Sequence, residues 1–266
     1  MVQVLCPVCG KPLLCEERSW RCENGHGFDV ARQGYVNLLT VDKKHSLHPG
    51  DTKEQVASRK AFLDGGYYAP IAEKLRDLLA AEQPGAVLDV GCGEGYYLTA
   101  AAPQNAEVWG VDISKDAVRY AAVRNKNARW LVGTASHLPF ADESFDCIVS
   151  MFALTEAAEF SRVLRKGGLF VQVTAHPEHL MGLKTIIYPQ IIRKEKEQNP
   201  AYDGFAAVET EEVAFSFTLT EQAQVANLLS MTPHFWRISK EGAEAAAQTE
   251  TLTDTARVLF RTYRKE

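Results

Sequence analysis

Val87-Leu88-Asp89-Val90-Gly91-Cys92-Gly93-Glu94-Gly95 runs from an apolar stretch straight into three glycines at alternate positions. The apolar run has the length of a strand buried on both faces. Glycine lets a backbone turn sharply and approach a ligand closely, and a helix that follows presents free N–H groups to it. The spacing of Gly91, Gly93 and Gly95 is weak evidence alone, because glycines also make tight turns for structural reasons. Its surroundings strengthen it. Asp89 ends the strand, and Asp112 ends the next apolar run about twenty residues beyond the glycines, where an acid can accept both hydroxyls of a ribose. A structural capping role is the alternative for Asp112.

Working outward, strand-like and helix-like stretches alternate. Strands are expected at Ala86–Val90, Glu107–Asp112, 128–132, 147–151 and 169–174, with helices at 96–102, Lys115–Arg124 and 157–164. Such alternation predicts an α/β domain whose parallel sheet is covered on both faces. Residues 212–218 and 256–263 read as two strands around a helix at 221–229, an antiparallel pair closing one sheet edge. Upstream, Asp51 followed by Glu54 resembles a capping box that opens a helix to about Leu63. Gly65-Gly66 breaks it, and a second helix carries Ile71, Leu75, Leu78 and Leu79 at helical spacing. Residues 40–50, with Lys43-Lys44-His45 and Pro49-Gly50, read as a loop. The expected organisation is a small module over 1–40, a linker with helices over 41–84 and the α/β domain over 85–266.

The small module has its own signature. Cys6, Cys9, Cys22 and His26 follow C-x₂-C-x₁₂-C-x₃-H spacing, which suits a closed tetrahedral Zn²⁺ site; a disulfide pair is the alternative. Cys15 and Cys92 fall outside the pattern and read as small packing residues, with a spare thiol as the other reading of Cys15. Trp20, Phe28, Val30, Tyr35, Val36, Leu38 and Leu39 are the module's few apolar residues. A core that small would depend on metal for much of its stability.

At 266 residues, 46% hydrophobic and 24% charged, the composition is that of a globular protein with a sizeable core. No apolar run approaches the roughly 18–20 residues of a membrane span, and the N-terminus lacks a signal-peptide pattern. The cytoplasm, where clustered thiols bind metal more often than they form disulfides, is the expected compartment. The net charge of −5 argues weakly against a nucleic-acid partner. Its distribution changes that reading. Residues 1–60 hold nine Lys/Arg against seven Asp/Glu, or +2, which leaves −7 for residues 61–266. Lys11, Arg18, Arg21, Arg32, Lys43, Lys44, Lys53, Arg59 and Lys60 are either a phosphate-binding face or ordinary solvated surface.

The chemistry of the turn separates two nucleotide-binding readings. A dinucleotide site must accommodate a pyrophosphate, which Glu94 in the turn would repel. An acidic turn tolerates S-adenosylmethionine instead, whose sulfonium and ammonium are positive. D-x-G-C-G-E-G at Asp89–Gly95 closely resembles the first motif of class I methyltransferases, Rossmann-like enzymes dependent on S-adenosyl-L-methionine (SAM). His137-Leu138-Pro139-Phe140-Ala141-Asp142-Glu143-Ser144-Phe145-Asp146 resembles that superfamily's approach to its fourth strand, and Leu164-Arg165-Lys166-Gly167-Gly168 its approach to the fifth.

The resemblance narrows further. The zinc spacing, Phe28-Asp29, Gly34-Tyr35-Val36-Asn37-Leu38-Leu39, Pro49-Gly50-Asp51, Arg59-Lys60-Ala61-Phe62-Leu63-Asp64, Gly93-Glu94-Gly95-Tyr96-Tyr97 and Met231-Thr232-Pro233 recur in one family. The chain resembles the bacterial 23S ribosomal RNA (guanine-N1)-methyltransferases of the RlmA type, which include relatives linked to macrolide resistance. The similarity spans nearly the whole chain and is most specific between residues 6 and 97. It implies a zinc domain contacting an RNA hairpin, a SAM-dependent catalytic domain and often a homodimer.

By the same resemblance, Cys6, Cys9, Cys22 and His26 match zinc ligands, and Tyr68, Leu98, Thr99 and His179 match positions that contact the cofactor. Without it, His179 reads as a helix-cap or surface histidine. Ser136-His137, after the third strand, is where the superfamily holds the adenine, and loop packing is the other reading. The departure lies after the fourth strand. Many base-modifying methyltransferases place an Asn/Asp/Ser-Pro-Pro-aromatic motif there, whereas this chain has Ser150-Met151-Phe152-Ala153-Leu154-Thr155-Glu156. Phe152 reads as a base-stacking ring or as core, and no carboxylate is placed to act as general base. Methyl transfer to N1 of a guanine in an rRNA hairpin is the expected function. A small-molecule methyltransferase, which needs no zinc module, and a catalytically silent RNA-binding adaptor are the alternatives.

Overall fold

The computed structural model describes residues 1–43, 50–191 and 200–266. Lys44, His45 and Pro49 of the expected loop lie outside the described residues.

Three short strands, β1 (Leu13–Cys15), β2 (Ser19–Cys22) and β3 (Gly27–Asp29), form an antiparallel N-terminal sheet. The next strand, β4 (Tyr35–Asn37), does not join them. It pairs in parallel with a strand of the catalytic sheet, placing Tyr35, Val36 and Asn37 opposite Trp130, Leu131 and Val132. Tyr35 and Val36 are buried there, so apolar residues read as contacts of the small module instead serve the large sheet.

Helix α1 (Lys53–Asp64) starts one residue later than its sequence suggests. The hydroxyl of Thr52 accepts the backbone N–H of Gln55, and the Gln55 side chain accepts that of Thr52. Asp51, expected as the cap, is instead ion-paired with Arg59. Helix α2 (Ala69–Glu82) follows, with Pro70 in its first turn, where a missing N–H removes no helical bond.

The alternating half then runs β5 (Ala86–Val90), α3 (Tyr96–Ala101), β6 (Glu107–Asp112), α4 (Lys115–Arg124), β7 (Arg129–Val132), β8 (Phe145–Met151), α5 (Ala157–Val163) and β9 (Leu164–Ala175). After it come α6 (Met181–Ile187), β10 (Phe205–Leu219), α7 (Gln222–Ser230), α8 (Lys240–Gln248) and β11 (Leu252–Lys265). The eight-stranded sheet has the order β10-β11-β9-β8-β5-β6-β7-β4. Its β4–β9 pairings are parallel, while β11 runs antiparallel to both β9 and β10. The strand order reverses at β5, so the crevice beyond its carboxyl end is where an open α/β sheet receives a ligand. The glycine turn occupies that place.

Successive strand residues face opposite layers. Val87, Val108, Trp130 and Val149 join the core under α1–α4, α6, α7 and α8. Leu88, Trp109, Leu131 and Ile148 join a second core shared with α5 and with Val2, Val4, Leu13 and Trp20 of the N-terminal module. Trp20 meets Trp109 edge-on at 6.3 Å, and Trp109 meets Phe140 at 5.3 Å. Backbone bonds stitch the same seam, with Leu5 N–H donating to the Pro139 carbonyl and Ala141 N–H to that of Gln3. The N-terminal module therefore serves as one of the covers of the catalytic sheet, and its apolar core is not its own.

Candidate active site and metal centre

Two tight turns bring the four predicted metal ligands together. Gly10 N–H donates to the Cys6 carbonyl and Gly25 N–H to that of Cys22, closing a loop beside each ligand pair. One ligand atom from each of Cys6, Cys9, Cys22 and His26 lies within 4.8 Å of every other. A tetrahedron with zinc–sulfur bonds of about 2.3 Å has sulfur–sulfur edges of about 3.8 Å. The Cys9–Cys22 separation is 3.7 Å, and His26 offers Nδ1 at 3.4 Å from Cys22 Sγ and 3.6 Å from Cys6 Sγ. The Cys9 thiol is lowered to about 6, first by the Lys11 backbone N–H, so it readily becomes the thiolate a metal requires. The donor set fits Zn²⁺. Cys15, expected as a packing residue, is exposed and is a spare thiol, whereas Cys92 is buried as expected.

Outside this cluster, Arg18, Arg21 and Arg32 are exposed and form no ion pair among the described residues. Lys11 does, with Glu23 at 2.9 Å. Lys43 lines a shallow cleft with Pro7, Thr134 and His137, where the module meets the loop after β7.

The glycine turn is held by its own backbone. Gly91 and Cys92 N–H both donate to the Val111 carbonyl. Gly91 has φ +77°, and a Cβ there would lie 2.4 Å from the Ala153 Cβ, so only glycine fits under the loop that follows β8. Gly95 is similarly confined, by Trp130 and Ala121. At Gly93 the nearest atom to an added Cβ is Arg59 Nη1, 4.0 Å away, which leaves that side of the turn open.

Three carboxylates surround the turn. Asp112 accepts Gly93 N–H at 2.9 Å through Oδ2 and Ser114 N–H at 2.8 Å through Oδ1. The cap of α4 is Ser114, so Asp112 braces the turn and the residue that caps the helix, and each of its oxygens still has a lone pair for a further donor. Burial pushes its pKa up, and the two N–H bonds hold it back. Asp89 is buried, and its Oδ1 has no hydrogen-bond partner among the described residues. Desolvation first, then the charges of Asp112 and Glu94, raise it to about 8. Glu94, also buried, is raised by desolvation against the pull of Arg59 and Arg124. Acceptor-rich and short of donors, this turn fits a cationic, hydroxyl-bearing ligand such as SAM and disfavours a pyrophosphate.

A second cluster sits at the ends of β8 and β9. His179 Nδ1 accepts the Arg257 backbone N–H at 3.0 Å, so in the neutral ring the proton is on Nε2 and points to Tyr68 Oη, 3.0 Å away. Burial lowers the His179 pKa to about 4 and keeps the ring neutral at physiological pH. Tyr68 ends the loop before α2, and burial raises its phenol so that the hydroxyl keeps its proton. His179 is thus neither a helix cap nor a free surface group.

Phe152 joins the two clusters. Its ring centroid lies 6.5 Å from Tyr68, 6.4 Å from His179 and 6.1 Å from Tyr97. Leu98, by contrast, is fully buried in the core, and Thr99 is exposed on the second turn of α3. Ser136 and His137 are exposed after β7, with the Thr134 and Ser136 hydroxyls 3.0 Å apart. These four lie outside the hydrogen-bonded clusters. Sequence reasoning weighed Arg59 only as a phosphate contact and gave Tyr97 no role, although both lie in the recurring motifs; Arg59 faces the glycine turn and Tyr97 is the second residue of the helix after it.

The sheet order, the acidic glycine turn and the four converging ligands define a class I SAM-dependent methyltransferase carrying an N-terminal zinc ribbon. Residues 88–172 match the family model described as a methyltransferase domain, and residues 4–47 match that of the RlmA N-terminal zinc ribbon. The 23S rRNA (guanine(748)-N(1))-methyltransferase of Streptomyces fradiae is 36% identical over 241 residues, covering 87% of this chain and 85% of that one. A putative 23S rRNA (guanine-N(1)-)-methyltransferase of Micromonospora griseorubida is 34% identical over 97% of this chain and 96% of its own. Another from Bacillus subtilis is 31% identical over 89% of this chain and 88% of its own. The chain belongs to the 23S rRNA (guanine-N1)-methyltransferase family of the RlmA type.

Proposed function

We propose that the protein methylates N1 of an unpaired guanine in a hairpin of 23S rRNA. SAM, when bound, supplies an electrophilic methyl group on a sulfonium centre. Gly91, Gly93 and Gly95 admit it, Asp112 takes its ribose hydroxyls, and Asp89 and Glu94 provide the negative field that favours its positive charge. Tyr68, Leu98, Thr99, Ser136, His137 and His179 complete the enclosure in this reading. The neutral His179 and the protonated Tyr68 act as fixed hydrogen-bonding groups rather than as charges. N1 of guanine lies on the Watson–Crick edge, so the base is unpaired or extruded before it reacts, and the protein holds it in line while the N1 proton passes to solvent.

The observation that carries this reading is the fusion of the ribbon to the catalytic sheet. A tetrahedral ligand cluster and exposed Arg18, Arg21 and Arg32 are locked by the Trp20–Trp109 seam to a domain whose own charge is negative. Phosphate contacts from the ribbon would set the register of the hairpin on an acidic enzyme. A small-molecule methyltransferase has no use for such a module. The reading also places the protein in the cytoplasm with its substrate and includes a homodimer, which light scattering would detect; among the described residues no helix is long and apolar enough to cross a membrane.

Primer extension on 23S rRNA from a strain lacking the gene, with and without the gene restored, tests the proposal. N1-methylguanine blocks pairing and stops the polymerase, so one stop should vanish and return. An unchanged pattern of stops would refute it.

A further inference from the structure

Phe152 combines three features that packing alone does not explain. Its φ is +57°, a conformation uncommon for a bulky residue, and its backbone is pinned there by an N–H bond of 2.8 Å to the Val173 carbonyl. The residue is 41% exposed although its ring lies 6.1–6.5 Å from those of Tyr68, Tyr97 and His179. The loop it begins is held at both ends, since Gln172 Nε2 donates to Thr155 Oγ1 at 2.8 Å. Between those anchors the next residue, Ala153, packs on Gly91, and the ring itself lies 6.1 Å from Tyr97, in the helix that follows the glycine turn. A left-handed, partly exposed aromatic, on a loop hydrogen-bonded at both ends and packed on the glycine turn, matches the strain that clusters at functional sites.

We infer that Phe152 is the seat of the target base, stacking face to face on the extruded guanine. Stacking suits this reaction because it holds a base by its faces and leaves N1, in the ring plane, unobstructed. Every base offers a π-face, so the ring contributes affinity and placement, and the choice of guanine comes from other contacts. Loss of the Asn/Asp/Ser-Pro-Pro-aromatic motif is thereby offset by one ring whose backbone is fixed by the sheet. The inference rests on the proposed methylation of rRNA.

The test uses the zinc-loaded full chain and a transcript of the 23S rRNA hairpin that the wild-type protein methylates. Phe152→Leu keeps apolar bulk without a π-face, Phe152→Trp keeps the π-face, and Phe152→Ala removes both. Stacking of one base predicts that Phe152→Leu and Phe152→Ala lose on the order of 10- to 100-fold in kcat/KM for RNA, while Phe152→Trp stays within about threefold of wild type. A hairpin with 2-aminopurine at the methylated position should be quenched on binding by wild type and Phe152→Trp and stay bright with Phe152→Leu. Full activity and quenching in Phe152→Leu would overturn the inference and reduce the ring to apolar packing. Misfolding of Phe152→Ala leaves the leucine and tryptophan pair decisive, provided their melting temperatures match wild type. A wild-type protein that methylates no transcript would instead sink the functional reading itself.

Discussion

The zinc ribbon and the glycine turn are both built on glycine-assisted loops, yet they place charge in opposite ways. In the ribbon, soft ligands converge inward while Arg18, Arg21 and Arg32 stand exposed. At the turn, Asp89 and Glu94 are buried, and the nearby guanidiniums are tied to other carboxylates, Arg59 to Asp51 and Arg124 to Asp64. One surface suits a polyanion and the other a cation. Under the proposed function the difference shows how an acidic protein would act on RNA: docking and chemistry would fall to separate regions, joined by an apolar seam rather than by a linker.

That seam gives the largest expected effect. Metal binding supplies on the order of 10 kcal/mol of folding free energy to a small zinc module. Cys22→Ala should reduce zinc from about one per chain to background, as read by elemental analysis. Because Val4, Leu13 and Trp20 cover Leu88 and Trp109, losing the ribbon also uncovers the catalytic sheet. The melting temperature of the whole protein should fall and RNA affinity should vanish. A variant that kept its zinc would remove the metal site, and an apoprotein melting at the same temperature would show the seam to be energetically idle.

The comparison is sharpened next at the turn. Asp112→Ala should weaken SAM binding by roughly 1.5–3 kcal/mol through loss of charge-assisted hydrogen bonds. Part of that loss comes from freeing the Gly93 and Ser114 N–H groups, which Asp112→Asn would partly hold. Calorimetry decides between the two, and tighter binding of NADH than of SAM would overturn the cofactor assignment.

What the sequence disclosed follows the range of the forces involved. Ligand spacing and the D-x-G-C-G-E-G wording are local, and they located the four-residue ligand cluster and the glycine turn without help. Strand and helix positions in the alternating half were legible because burial on two faces imposes a strict pattern. The helix cap was misplaced by one residue, since Asp51 is drawn to Arg59 eight residues on and leaves the cap to Thr52. The pairing of β4 with β7 and the Trp20–Trp109 contact were invisible, because nothing at residues 20 or 35–37 specifies a partner about ninety residues away. The backbone of Phe152 was equally hidden, since its left-handed turn is imposed by Val173 and Ala153 rather than by its own preference.

A smaller effect tests the exposed face of the ribbon. If Arg18, Arg21 and Arg32 neutralise two or three phosphates, replacing all three by alanine should flatten the log–log salt dependence of RNA affinity by about two units. Titrations at several salt concentrations read the slope, and SAM affinity should not change. An unaltered slope, with RNA binding lost only on mutating the catalytic domain, would mean that the acidic region docks the RNA and that the division of labour is wrong.

The smallest expected effect concerns the charge inside the turn. Asp89 is raised to about 8 by burial and by Asp112 and Glu94, so below that pH its folded form is mostly protonated. Relative to an unfolded carboxyl near 4, the folded state holds the extra proton between about pH 4 and 8, and stability contributed at this residue falls as pH rises through that window. SAM binding has the opposite sign, because a positive ligand favours the ionised form and expels the proton. Other groups around the turn temper this dependence without reversing it: Arg59 opposes the cation at every pH in the range, and the Cys92 thiol is pushed upward and stays neutral. Affinity for SAM should therefore rise about fivefold between pH 7 and 8, as one group with a pKa near 8 goes from about a tenth to about half ionised. Calorimetry in buffers of different ionisation enthalpy should register proton release in the same interval. Asp89→Asn should bind more weakly and with a flat pH profile; a variant that kept the wild-type rise would assign the proton to another group and leave Asp89 a structural carboxylate.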